Sequence, residues 1–209
     1  MTNIKSIIRE GEYAQVEKLT LTGTILDIGG STKSGYHELI KGTHSFFVVN
    51  LDPACEPNLF HDIETPFPLQ DSQFDNAICL NVLEHIFETN LVFSEIVRCV
   101  KSGGTLAFAT PFMHHIHGSP DDYLRYTESA YRRLAEKNNC KITSITTLGE
   151  GFFSLGYQCI FGALPNDFLK HYFKRIAIRS DMFLNKISRK YRTLSSRLPL
   201  GHFVVMVKQ

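Results

Sequence analysis

Three imidazoles fall within four residues of this 209-residue chain, in the stretch Phe112-Met113-His114-His115-Ile116-His117-Gly118. Histidine changes charge near neutral pH, so the stretch can supply a general base. Imidazoles at this spacing can also share a metal ion, but no acid or cysteine cluster stands beside them in sequence, and no metal is assigned. His85 closes a second polar run, Asn81-Val82-Leu83-Glu84-His85, where it either takes part in chemistry or opens a helix.

Three acids stand where ligands commonly meet an α/β sheet. Asp27-Ile28-Gly29-Gly30-Ser31 ends an apolar run in a turn, and its glycines let backbone approach a ligand closely; a tight strand-to-helix connection would look the same. Asp52 ends Val49-Asn50-Leu51-Asp52 about 25 residues later, near the spacing at which a carboxylate accepts both hydroxyls of a ribose. Asp62, before Ile63 and the turn Pro66-Phe67-Pro68, could receive an exocyclic amine while neighbouring backbone holds an adenine edge. Each acid alone could equally be a helix cap or a turn former.

The elements that must position these groups are legible as apolar runs bounded by Gly, Pro or Asp: Thr24 to Ile28, Ser45 to Leu51, Phe74 to Leu80 and Thr105 to Thr110. Continuous runs of this kind are strands covered on both faces. A helix is predicted from Phe87 to Val100, where Val92, Ile96 and Val100 repeat at four-residue spacing before Lys101-Ser102-Gly103-Gly104. A further helix from about Glu128 to Asn138, a strand from Lys141 to Leu148 and a closing run His202 to Val207 complete a doubly wound α/β sheet. The short connection from Asp52 to Asp62 predicts a short or irregular third strand.

Length and 43% hydrophobic content suit one domain over 1–209. Charge is uneven: Lys170 to Arg197 holds nine Lys or Arg against one acid, Asp181, for a local +8, so the overall +1 leaves −7 elsewhere. With Phe168, Tyr172, Phe173, Ile176, Phe183 and Ile187 interleaved, this basic arm, within 160–199, is an amphipathic helical insertion before the last strand. It reads first as a lid or dimer-forming element with solvated charges, then as a surface for anionic lipid or a lipid-linked substrate, and last as an RNA-binding element, whose signatures it lacks. The five cysteines are dispersed, no signal-type apolar segment opens the chain, and no run approaches the roughly 20 residues of a bilayer span. A cytoplasmic protein is expected, peripheral to the inner membrane face if the arm meets lipid.

From Thr24 to Thr127 the chain resembles the class I S-adenosylmethionine-dependent methyltransferases, in the subgroup with a PF-x-x-x-x-x-x-FD turn and an LEH motif. The matching residues are Pro66-Phe67, Phe74-Asp75, Leu83-Glu84-His85, Val97 to Gly104 and Ala109-Thr110-Pro111-Phe112; His117, Pro120, Asp122, Arg125 and Thr127 fall on its H-x-x-P-x-D-Y-x-R-Y-T loop. The resemblance implies a Rossmann-like, mostly parallel sheet with an antiparallel C-terminal strand. It implies that Asp27, Gly29, Gly30 and Ser31 line the methionine and ribose end of S-adenosylmethionine, that Asp52 holds the ribose, that Asp62 and Ile63 read adenine, and that Asn81 sits beside the methionine moiety.

Where the family alternates glycines, this turn has Ser31 and Lys33. His85, His117, Asp122 and Arg125 are the catalytic candidates; Asp122 and Arg125 either line an acceptor pocket or form a structural ion pair, and Thr127 reads as a helix cap. The implied reaction is methyl transfer to O or N of a small-molecule or glycan-type acceptor, nucleic acid being disfavoured. The rivals are a non-catalytic cofactor binder acting through a partner or membrane, and a nicotinamide enzyme, against which the missing G-x-G-x-x-G counts.

Overall fold

The computed structural model describes residues 5–209. Five parallel strands, β1 (Gly23–Ile28), β2 (His44–Asn50), β3 (Leu59–Phe60), β4 (Asn76–Leu80) and β5 (Thr105–Pro111), are joined by two antiparallel ones, β6 (Cys140–Glu150) and β7 (Pro199–Lys208). The order across the sheet is β3-β2-β1-β4-β5-β7-β6. The chain therefore leaves β1 in one direction to make β2 and in the other to make β4. Ligands gather beyond the carboxyl ends of the strands at such a reversal. The continuous apolar runs are explained by burial: every residue of β4 is inside, and the last four of β1 are. The predicted strand at Phe74 starts later, at Asn76, because Phe74 makes only an isolated bridge to Val100.

One face of the sheet is covered by the helices that follow β4 and β5, α2 (Thr89–Cys99) and α3 (Glu128–Lys137). Val92, Phe93, Ile96 and Val97 of α2, and Tyr131, Leu134 and Ala135 of α3, pack with Leu26, Ile28 and Phe108 into one core. Thr127 caps α3 by accepting the Ala130 N–H at 3.2 Å.

The other face differs from expectation. Residues 29–43, between β1 and β2, form no α-helix, only the 3-10 turn His37–Leu39. Their place is filled by an unforeseen N-terminal helix, α1 (Ile7–Val16), together with α4 (Phe152–Ile160) and α5 (Asp167–Ile187); Ile8, Val16, Tyr157 and Ala177 share one core with Ile25, Ile78 and Phe203 of the sheet. The basic arm, finished by α6 (Arg189–Ser195), thus builds core. Its inward stripe is narrow and partly charged, Lys174, Ala177 and Asp181. Lys174 reaches the Lys5 carbonyl at 3.1 Å and the Glu10 carboxylate, while Asp181 receives the N–H groups of Phe153 at 3.1 Å and Ser154 at 2.7 Å, capping α4.

Candidate active site

A cleft of about 420 Å³ opens beyond the carboxyl ends of β1, β2 and β4, a size ordinary for a small-ligand pocket. Gly29, Asp52, Asp62, Ile63, Asn81 and His85 all line it. Its far wall comes from the loop after β5, through Ser119, Pro120, Asp121 and Tyr123.

Gly29 has φ +72°, and a Cβ there would stand 2.4 Å from Val82, so only glycine lets this turn pass beneath the cleft. Asn50 donates to the carbonyls of Gly29 and Gly30 at 3.0 and 2.7 Å and locks the turn to β2. Asp52 is exposed; one carboxylate oxygen accepts the Ala54 N–H at 2.9 Å and caps the turn Pro53–Cys55. Asp62 likewise accepts the Glu64 N–H at 3.0 Å. Both acids act locally as turn formers and still present carboxylate to the cleft. Asn81 follows β4 at φ +55°, and its side-chain Nδ2 is buried without a hydrogen-bond partner.

Asp27, Gly30 and Ser31 are placed otherwise. Asp27 is fully buried and turned away from the cleft: Tyr36 Oη donates to it at 2.9 Å and His37 Nε2 lies 2.7 Å away. Burial pushes its carboxyl above the usual range, with His37 opposing. A Cβ on Gly30 would lie 2.0 Å from Asp27 Oδ2, so this glycine makes room for the carboxylate. Ser31 is spent on the loop itself, its N–H on Ser34 Oγ at 2.9 Å and its hydroxyl on the Cys55 carbonyl at 3.3 Å.

At the other end of the cleft the histidine loop folds against the turn Leu83–His85. The Glu84 carbonyl accepts the N–H groups of Tyr123 at 2.8 Å and Leu124 at 3.2 Å, and Tyr126 Oη donates to the Leu83 carbonyl at 3.0 Å. His85 and His117 meet edge to face with centroids 5.0 Å apart. Asp122 and Arg125 do not reach the cleft. They form a two-pronged ion pair, with Nη2–Oδ2 at 2.7 Å, and Asp122 also accepts the His117 N–H at 2.9 Å. Arg125 holds the Asp122 carboxyl far below its usual range. The pair braces the loop that carries His117. Desolvation holds His117 below the usual imidazole pKa, leaving it neutral and able to accept a proton at pH 7.

Two groups here escaped sequence reasoning. Glu84, inside the run that pointed to His85, is wholly buried with both carboxylate oxygens unpaired, and burial pushes it up to about 8. Glu12 of α1 is 1% exposed, raised by burial, and close enough to Glu84 to add to its shift. The signal for Glu12 was its position, four residues from Ile8 and four from Val16 on the helix's apolar stripe.

Residues 36–108 match the family described as methyltransferase domain. No curated protein matches the sequence. Among solved structures, a S-adenosylmethionine dependent methyltransferase of Listeria monocytogenes is similar at 14% identity and TM-score 0.59, over 96% of this chain and 97% of that one. One from Mesorhizobium loti gives 13% and 0.59, over 95% and 98%. The phosphoethanolamine N-methyltransferase 2 of Haemonchus contortus, in complex with S-adenosyl-L-methionine, gives 16% and 0.58, over 99% of this chain and 54% of that one. The match spans β2 to the first part of β5, and the solved structures extend the likeness over nearly the whole chain, so the protein carries a fold similar to that of the S-adenosylmethionine-dependent methyltransferases.

Proposed function

We propose that the enzyme methylates an oxygen or nitrogen of a small-molecule or glycan-type acceptor brought against His85 and His117. The observation carrying this reading is that His85, which lines the cleft, meets neutral His117 and the buried Glu84, whose carboxylate has no hydrogen-bond partner. S-adenosylmethionine supplies an electrophilic methyl on a sulfonium. The residues fit that cofactor on two structural grounds: Gly29, where a side chain would strike Val82, lines the cleft as bare backbone, and the buried amide of Asn81, which also lines it, has no hydrogen-bond partner. In this reading Asp52 holds the ribose hydroxyls, Asp62 and Ile63 meet adenine, and Gly29 and Asn81 flank the methionine end.

Methyl transfer is an in-line displacement, so alignment in a dry site is the main contribution of the protein. The histidine end adds a group that takes up or weakens the hold on the acceptor's proton, worth about 10²- to 10⁴-fold. The test is transfer of labelled methyl to panels of hydroxyl- and amine-bearing acceptors. His117→Ala is expected to lower kcat by about 10²-fold or more while leaving cofactor affinity nearly unchanged. A variant that loses cofactor affinity instead would overturn this assignment.

We also infer that α5 meets an anionic membrane surface. Phe168 (76% exposed), Phe183 and Ile187 stand in solvent on a helix rich in Lys and Arg. Among the described residues no helix is long and apolar enough to cross a membrane, so contact would be peripheral. Co-sedimentation with phosphatidylserine vesicles, lost in Phe168→Ser with Phe183→Ser, is the expected result; equal recovery with and without vesicles would refute it.

A further inference from the structure

We propose that Glu84, His85 and His117 form a binding site for one divalent transition-metal ion at the acceptor end of the cleft. His85 Nε2 lies 3.7 Å and His117 Nε2 3.9 Å from Glu84 Oε1, and the three ligand atoms fall within 4.8 Å of one another. An ion centred among them needs shifts of only a few tenths of an ångström to reach bonds of about 2.0–2.2 Å.

The outer contacts point the same way. His85 Nδ1 lies 2.6 Å from the Asp121 carbonyl, and His117 Nδ1 lies 3.3 Å from the His115 carbonyl and 3.4 Å from Asp122 Oδ2. Carbonyl oxygen can only accept, so both Nδ1 atoms carry the proton and each Nε2, the atom nearer Glu84, keeps its lone pair free for a metal. Metal-binding histidines are oriented by this kind of outer hydrogen bond. Glu84 supplies an independent sign: its side chain is 0% exposed, yet neither oxygen has a hydrogen-bond partner. Buried carboxylates are ordinarily paired, hydrogen-bonded or coordinating a metal.

Two imidazoles and one carboxylate suit a first-row transition ion and leave coordination positions open. His85 lines the cleft and puts the site at its wall. A hydroxyl or carboxylate oxygen of the acceptor can fill one of the open positions. This use rests on the acceptor position proposed above; the site itself does not.

Titration of the full chain with Co(II) and Zn(II), without acceptor, tests the site. One ion per chain should bind, Co(II) with visible d–d absorption, and His117→Ala and Glu84→Gln should each weaken binding at least tenfold, since each removes one of three ligands. His114→Ala should bind as wild type does. Should Glu84→Gln lower the melting temperature, His117→Ala, on the loop, still carries the test. No saturable binding, or binding retained in His117→Ala and lost in His114→Ala, would overturn the proposal. Because cofactor and acceptor are absent from this measurement, its failure leaves the reading of the cleft standing.

Discussion

A methyl group added at Gly30 would run into the Asp27 carboxylate, which Tyr36 and His37 already hold from the other side. Gly30→Ala is therefore expected to cost about 2–4 kcal/mol, read from denaturant unfolding, by uncoupling a buried acid from its partners. At Asp52, Asn can still cap the Pro53–Cys55 turn but loses the charge. Asp52→Asn should weaken S-adenosylmethionine by about tenfold or more in calorimetry with the melting temperature preserved, as a charged hydrogen bond contributes about 1.5–3 kcal/mol. Asp52 and Asp62 were legible because each ends or follows an apolar run. Asp27 ended such a run too, but the residues that claim it, Tyr36 and His37, carry no mark in sequence of where they fold. Glu84 becomes conspicuous only once the loop carrying His117 lies over it.

Among the elements, α4 depends on α5 for its first turn. Asp181 caps it across the fold, so Asp181→Ala should lower stability by about 2–4 kcal/mol, far more than an exposed acid in a basic segment would. On α2, Arg98 is hydrogen-bonded to Glu95 at 2.8 Å and holds its carboxyl below the usual range. A depressed carboxyl stabilises fully above its unfolded pKa, about 4.3, and less as pH falls through the folded value. Glu95→Gln should thus lower the melting temperature at pH 7, by an amount worth about 1 kcal/mol, and the gap to wild type should close in acid. Helix α2 was readable from its four-residue repeat and α3 from Thr127 and its periodic stripe. Helix α1 was not, because an acid sits in the middle of its buried face. The crossover from β1 to β2 lacks a helix for a related reason: its space on the sheet is taken by elements distant in sequence.

For the whole molecule, the doubly wound, mostly parallel sheet and the uneven charge were both legible in the sequence, while the packing of the arm was not. Its +8 charge is plain in the sequence, yet its inward stripe of Lys174, Ala177 and Asp181 looks like a surface and its outward Phe168 and Phe183 look like a core. Strands β6 and β7 pair antiparallel along their length, out to Glu150 opposite Pro199, with the entire arm between those two residues. Topologically they are a hairpin whose turn has grown into three helices. Closing such a loop costs only about 0.6 kcal/mol more for each doubling of its length. The arm's length is therefore nearly free as far as strand pairing is concerned, and its outer surface can be remodelled while the cleft beside β1, three strands away from β7, keeps its shape.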